Sequence, residues 1–180
     1  MRKLNRDEIG LRRYTKERLA DEPRLPVYLL LENVRSLYNV GSVFRSADGA
    51  RVSRLILCGF TPHPPRKEIE KTALGATSTV PWEFFPTVGE AVDSLRQKRI
   101  PLCAVEHTDV SRPYYTLSKG DFPVCLAIGN EITGISKELL SLADSAIDIP
   151  MFGMKQSLNA AVAAGIVLYE CVRILKGGEI

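Results

Sequence analysis

Five short runs that are apolar almost throughout recur along this chain, separated by helix-like stretches and loops. They are Val27–Glu32, Ser53–Gly59, Ile100–Glu106, Pro123–Ile128 and Ser145–Ile149. Each is too short for a buried helix, and none alternates as a strand with one wet face does. Strands apolar on both sides must be covered on both sides. The runs therefore specify an α/β domain with a parallel sheet flanked by helices. Ligand sites in such sheets gather at the carboxyl ends of the strands.

The intervening stretches read as the covering helices. Val40–Ala50 places Val40, Val43, Phe44 and Ala47 at helical spacing. Thr87 and Glu90 form a capping box opening a helix to Lys98, and a short helix follows Ser136. Ser157–Lys176 closes the chain, rich in Ala, Val, Ile and Leu, while Thr61–Arg66 reads as a proline-rich surface loop. At the other end, Asn5 and Glu8 are spaced as a capping box for a helix reaching toward Leu19, which Pro23 and Pro26 terminate. Residues 1–25 thus read as a helical extension and residues 26–180 as one domain, a length that suits a single core.

Composition narrows the function classes. The longest apolar runs are far too short to span a bilayer, and no apolar stretch follows Met1-Arg2-Lys3, so neither a membrane span nor a secretory signal is expected. Cys58, Cys103, Cys125 and Cys171 lie far apart, three of them in or at the end of strand-like runs, as buried thiols of a cytoplasmic protein do. With only His63 and His107 besides, no metal site is expected. The net charge of +3 identifies no partner. Its distribution is more informative: Arg2, Lys3, Arg6, Arg12, Arg13, Lys16 and Arg18 crowd the start, either as a solvated face or as an arm for nucleic-acid phosphates.

Three loops carry chemistry. In the loop after the first strand, Asn39 is placed to cap the next helix, and Gly41 permits close approach of a backbone or ligand. Arg45 follows about one and a half turns into that helix, either as a surface arginine or as a guanidinium fork for phosphate or ribose oxygens. The loop Gly129-Asn130-Glu131-Ile132-Thr133-Gly134-Ile135-Ser136 has nearly the spacing of a P-loop, but Ile135 stands where the phosphate-binding Lys belongs. That exchange, with Glu131 repelling phosphates, argues against an NTPase. In the third loop, running from Ile149 into the last helix, Ser157 is a natural N-cap and Asn159 falls in the first turn, where an amide is poorly suited.

Taken in order, the three loops resemble the TrmH/SpoU family of SPOUT methyltransferases. The N-x-G-x-x-x-R motif matches Asn39, Gly41 and Arg45, and G-x-E-x-x-G matches Gly129, Glu131 and Gly134. I-P-M-x-G-x-x-x-S-L-N matches Ile149, Pro150, Met151, Gly153, Ser157, Leu158 and Asn159, with no departure at a motif position. The resemblance covers Val27 to the C-terminus. It implies a SPOUT-type fold whose C-terminal segment forms a trefoil knot, which pattern reasoning alone would exclude. It implies a homodimer and S-adenosylmethionine (SAM) as cofactor, held at Val105, Glu106, Gly129, Ile149, Met151 and Leu158.

The activity so implied is methylation of a ribose 2′-OH in structured RNA, tRNA or rRNA. Arg45, Asn39, Glu131, Ser157 and Asn159 are the catalytic candidates, with Glu131 expected to orient Arg45 through a charged hydrogen bond. Arg2, Lys3, Arg6, Arg12 and Arg13 then become candidates for gripping RNA. No separate substrate-binding domain is expected before the catalytic one, an expectation that favours tRNA or a compact structured RNA over a large ribosomal target. A non-catalytic knotted RNA-binding module and a SPOUT base methyltransferase are the rival readings.

Overall fold

The computed structural model describes residues 1–11 and 22–177. Asn5 and Glu8 close the expected reciprocal box, with Glu8 N–H donating to Asn5 Oδ1 (2.9 Å) and Asn5 N–H to Glu8 Oε2 (2.8 Å). It opens helix α1 (Arg6–Leu11). Arg2 forks onto the same Glu8 carboxylate at 2.8 and 2.5 Å, while Lys3 and Arg6 are exposed. The continuation toward Leu19, with Arg12, Arg13, Lys16 and Arg18, lies outside the described residues.

The five expected strands all form, as β1 (Leu25–Glu32), β2 (Val52–Cys58), β4 (Leu102–Val105), β6 (Val124–Ile128) and β7 (Ser145–Asp148). Two more complete the sheet: β3 (Trp82–Phe85) and β5 (Arg112–Pro113). All pairings are parallel, in the order β3-β2-β1-β6-β4-β7-β5. Leu25, assigned to the extension by sequence, is the first residue of β1 and pairs with Val52. The segment before it is tied down as well, since Arg24 donates to Val52 O (3.1 Å) and Thr79 O (2.6 Å).

Successive residues of the central strands go to opposite cores. Leu29, Leu31, Leu126 and Ile128 join one cluster, whereas Leu30, Cys125 and Ala127 join the other. Helices α2 (Leu37–Gly49) and α6 (Ala160–Lys176) cover the first face. On the second face lie α4 (Val88–Gln97) and α5 (Lys137–Leu142), capped by Thr87 and Ser136 as expected. The four cysteines are free and buried, and burial pushes the Cys58 thiol up to about 11, so it stays protonated at neutral pH.

Three strands and helices were not expected from sequence, the two-residue β5 among them. Helix α3 (Lys67–Ala73) buries only Ile69 and Ala73, too few anchors for a visible periodicity. Strand β3 lies at the sheet edge with no fully buried residue, and Pro81 and Pro86 bound its Trp-Glu-Phe-Phe, a run too short to stand out. Helix α3 explains Gly41 of α2. A Cβ there would sit 2.3 Å from Ile69 O and 2.1 Å from Thr72 Oγ1, so this glycine serves helix–helix approach.

Candidate active site

The neighbours β1-β6-β4-β7 are consecutive in the sheet, so the loops after them lie side by side at its carboxyl edge. Three of these four loops carry the three motifs. The loops after β4, β6 and β7 line a cavity of about 520 Å³, a size that suits a cofactor. All six residues expected to hold a cofactor line it: Val105, Glu106, Gly129, Ile149, Met151 and Leu158.

Two glycines shape its wall. A Cβ on Gly129 would lie 2.2 Å from Gly134 C and 2.3 Å from Ile135 N, so the loop folds back onto itself only without a side chain there. Gly134 has φ +68°, and a Cβ would lie 2.3 Å from Glu106 Oε2. That oxygen accepts Ile135 N–H at 3.0 Å and ties the loop after β4 to the loop after β6. Asn130, which sequence reasoning passed over, holds the second loop to the first by donating to Asn33 O at 2.7 Å. Its position between two motif residues was the available signal.

A directed relay runs along the rim. Asn159 Oδ1 accepts the N–H groups of Ala161 (2.9 Å) and Val162 (3.3 Å), so its amide nitrogen is free to donate to Asn39 Oδ1 at 3.1 Å. Asn39 in turn donates to Glu131 Oε1 at 2.9 Å. Because a helix N-terminus offers only donors, the polarity is fixed and the far end must be an acceptor. The Glu131 carboxylate fills that role and also accepts Arg35 N–H (2.9 Å) and Ser36 N–H (3.1 Å). Burial alone would raise its pKa. Hydrogen bonds from Arg35, from its own N–H, from Asn39 and from Ser36 outweigh burial and hold the carboxyl below the ordinary glutamate value.

The cavity is lined by Glu106, Glu131 and Asp148 but, among the described residues, by no Lys or Arg. Such a surface disfavours a polyphosphate and suits a ligand carrying positive charge, and the surrounding Ile128, Ile149, Met151 and Leu158 offer apolar contact. Among the described residues no cluster of His, Cys, Asp and Glu is arranged to hold a metal ion.

A model of the SpoU rRNA methylase family matches residues 26–169. The chain belongs to this family. It is 32% identical over 168 residues to the tRNA (guanosine(18)-2′-O)-methyltransferase of Thermus thermophilus, covering 93% of this chain and 84% of that protein. It is 34% identical over 143 residues to the Escherichia coli enzyme of the same name, covering 79% of this chain. The chain spans about three fifths of that relative's length (61%). The SpoU methyltransferase AviRb of Streptomyces viridochromogenes, solved in complex with AdoMet, superposes with a TM-score of 0.79 at 29% identity, over 91% of this chain and 66% of that one.

Set against the SpoU motifs, several local expectations change. Ser36, not Asn39, caps α2, accepting Asn39 N–H at 3.2 Å. The helix therefore starts at Leu37, and Arg45 lies more than two turns in, exposed and without a hydrogen bond or ion pair among the described residues. The charged bond expected between Glu131 and Arg45 is absent, because the carboxylate is committed to Asn39 and two backbone donors. Asn159, not Ser157, is the N-cap of α6, which resolves its awkward place in a first turn. Ser157 is exposed and lines the cavity with Glu131, whereas Asn39 and Asn159 lie in the relay and do not line it.

Proposed function

We propose that this chain is a SAM-dependent RNA methyltransferase acting on a ribose 2′-OH of tRNA or rRNA. The observation carrying this reading is the coincidence of the cavity with the motif loops: residues of the second and third motifs line it, and Asn39 of the first is bonded to Glu131 on its wall. Bound SAM would supply a methyl group already activated by a positive sulfur, and the three cavity carboxylates suit that charge. It would be held at Val105, Glu106, Gly129, Ile149, Met151 and Leu158.

Since the methyl group arrives activated, the protein's task is positioning and activating a weak nucleophile. Arg45 is a permanent cation that can only donate hydrogen bonds. We assign it the task of clamping an RNA phosphate and orienting the ribose hydroxyl, and its lack of a partner among the described residues leaves its fork free for this. Asn39 and Asn159 hold the first and third motif loops in register through the relay, with Glu131 as its terminal acceptor. Ser157, exposed at the cavity wall and free of capping duty, is placed as a further ribose contact.

Several finer features belong to the same reading. The C-terminal segment would thread as a trefoil knot. A homodimer would cover the apolar side chains of Phe152, Met154 and Val162, which are 97%, 100% and 51% exposed. Lys3 and Arg6, with Arg12 and Arg13, would extend the RNA grip of the extension in residues 1–25. The buried free thiols support a cytoplasmic setting, and no described helix is long and apolar enough to cross a membrane.

The test is calorimetry with SAM, followed by transfer of labelled methyl groups to bulk tRNA and rRNA, with mass spectrometry of the nucleosides to separate ribose from base products. Arg45→Ala should abolish transfer while SAM affinity survives. Near-normal turnover of that variant would refute the assignment of Arg45, and a base-methylated product would refute the ribose acceptor.

A further inference from the structure

A second cavity, a groove of about 470 Å³, opens beside the first motif loop and has the opposite electrostatic character. Arg35, Phe60, His63, Arg66 and Phe84 line it, and among the described residues no Asp or Glu does. Phe60 is 62% exposed and Phe84 38% exposed, an unusual presentation of large rings to water. The His63 ring packs on Phe84 with centroids 4.8 Å apart and stacks on Trp82 at 6.0 Å, so the aromatic wall is buttressed from behind. The Arg35 and Arg66 side chains are exposed and make no hydrogen bond or ion pair among the described residues.

We propose that this groove is a nucleotide subsite, in which an unstacked RNA base lies on Phe60 and Phe84 while Arg35 and Arg66 hold its phosphates. The proposal rests on the reading of the chain as an RNA methyltransferase and names where that RNA is gripped beyond the reacting ribose. Aromatic faces beside guanidinium groups are the chemistry that holds single-stranded nucleic acid, because every base has a π-face and every linkage a charge. The carboxylate-lined cavity suits a cation and the arginine-lined groove suits an anion, so the two sites sort cofactor from RNA by charge.

The groove is mechanically tied to the active-site loops. Thr61, only 1% exposed, donates through its hydroxyl to Leu31 O at 2.9 Å and accepts Val34 N–H at 3.0 Å. Asn33 Oδ1 accepts Phe60 N–H at 3.1 Å, in an approach so close that a Cβ on Gly59 would sit 2.1 Å from that oxygen. Arg35 lines the groove and donates its backbone N–H to Glu131. A base seated there would thus be held in register with the relay, which makes the groove the place for a nucleotide flanking the methylated one.

The test uses single-stranded RNA of about ten nucleotides carrying 2-aminopurine, whose fluorescence is quenched on stacking, with SAM present. Phe60→Ala and Arg66→Ala should each weaken binding about tenfold, Phe60→Trp should restore it, and SAM affinity should be unchanged throughout. Both side chains are exposed, so the fold should survive, and equal thermal midpoints check this. Affinities within about twofold of wild type in both alanine variants would overturn the proposal. So would full binding by Phe60→Leu, which keeps apolar bulk without a ring and would indicate a groove for a protein partner. A wild-type chain that neither binds SAM nor transfers methyl groups would instead overturn the underlying methyltransferase reading, and it is seen without any groove variant.

Discussion

Replacing Glu131 by glutamine isolates what the carboxylate contributes, because the shape is kept and the charge removed. The relay dictates how the amide must sit. Asn159 is fixed as an acceptor by the start of α6, so Asn39 must donate to position 131, and the glutamine oxygen has to face Asn39 and Ser36. Its NH2 group then points at Arg35 N–H, donor against donor. One charge-assisted bond is lost and two become neutral, a change of roughly 1 kcal/mol per bond. Arg35 lies on the exposed side, where water replaces part of the loss, so the net destabilisation should be about 2 kcal/mol.

The pH dependence carries its own sign. A carboxyl with a lowered folded pKa binds fewer protons folded than unfolded, so its contribution is full above the ordinary glutamate value. It is lost as pH falls through the lower folded value. Urea denaturation of both proteins from neutral pH to about pH 3 should show the gap between them closing on the acid side. A gap that stays constant over that range, or a variant as stable as wild type at neutral pH, would refute the relay as described.

Other consequences can be checked separately. Ser157→Ala should leave stability within about 0.5 kcal/mol, whereas Asn159→Ala should cost about 1 kcal/mol as a lost cap, plus the bond to Asn39; equal melting points for the two variants would contradict the assigned cap. Gly129→Ala should abolish SAM binding in calorimetry, since the new Cβ meets backbone that cannot step aside; retained affinity would show that the loop has another conformation. Deleting residues 1–21 should weaken RNA binding and lower the salt dependence by nearly one unit of slope for each phosphate that the segment neutralises; an unchanged slope would make the basic segment a solvated face.

Much of the scaffold is legible in sequence because it depends on local patterns. A run apolar on both sides is a covered strand wherever it lies, and Thr87, Ser136 and the Asn5–Glu8 box announce helix starts from within three residues. The edge strands β3 and β5 and the short α3 escaped because each is short and buries little. At the last helix, the sequence pointed to Ser157 as the cap and left Asn159 in the first turn, whereas Asn159 is the cap. Local propensity does not separate the two, and the bond from Asn159 to Asn39 across the chain selects Asn159.

The chain by itself therefore determined the five apolar strands, most of the helices and the three loops that carry chemistry. Tertiary structure alone decided the order β1-β6-β4-β7, which sets those loops side by side. It also decided that Glu131 serves Asn39, 92 positions away, and not Arg45, and it joined Arg35 to Phe60 and Arg66 in one groove. The physical reason is one of range. Periodicity and capping report which way a residue faces along its own element, whereas a partner across the fold exists only once global packing has chosen which strands are neighbours.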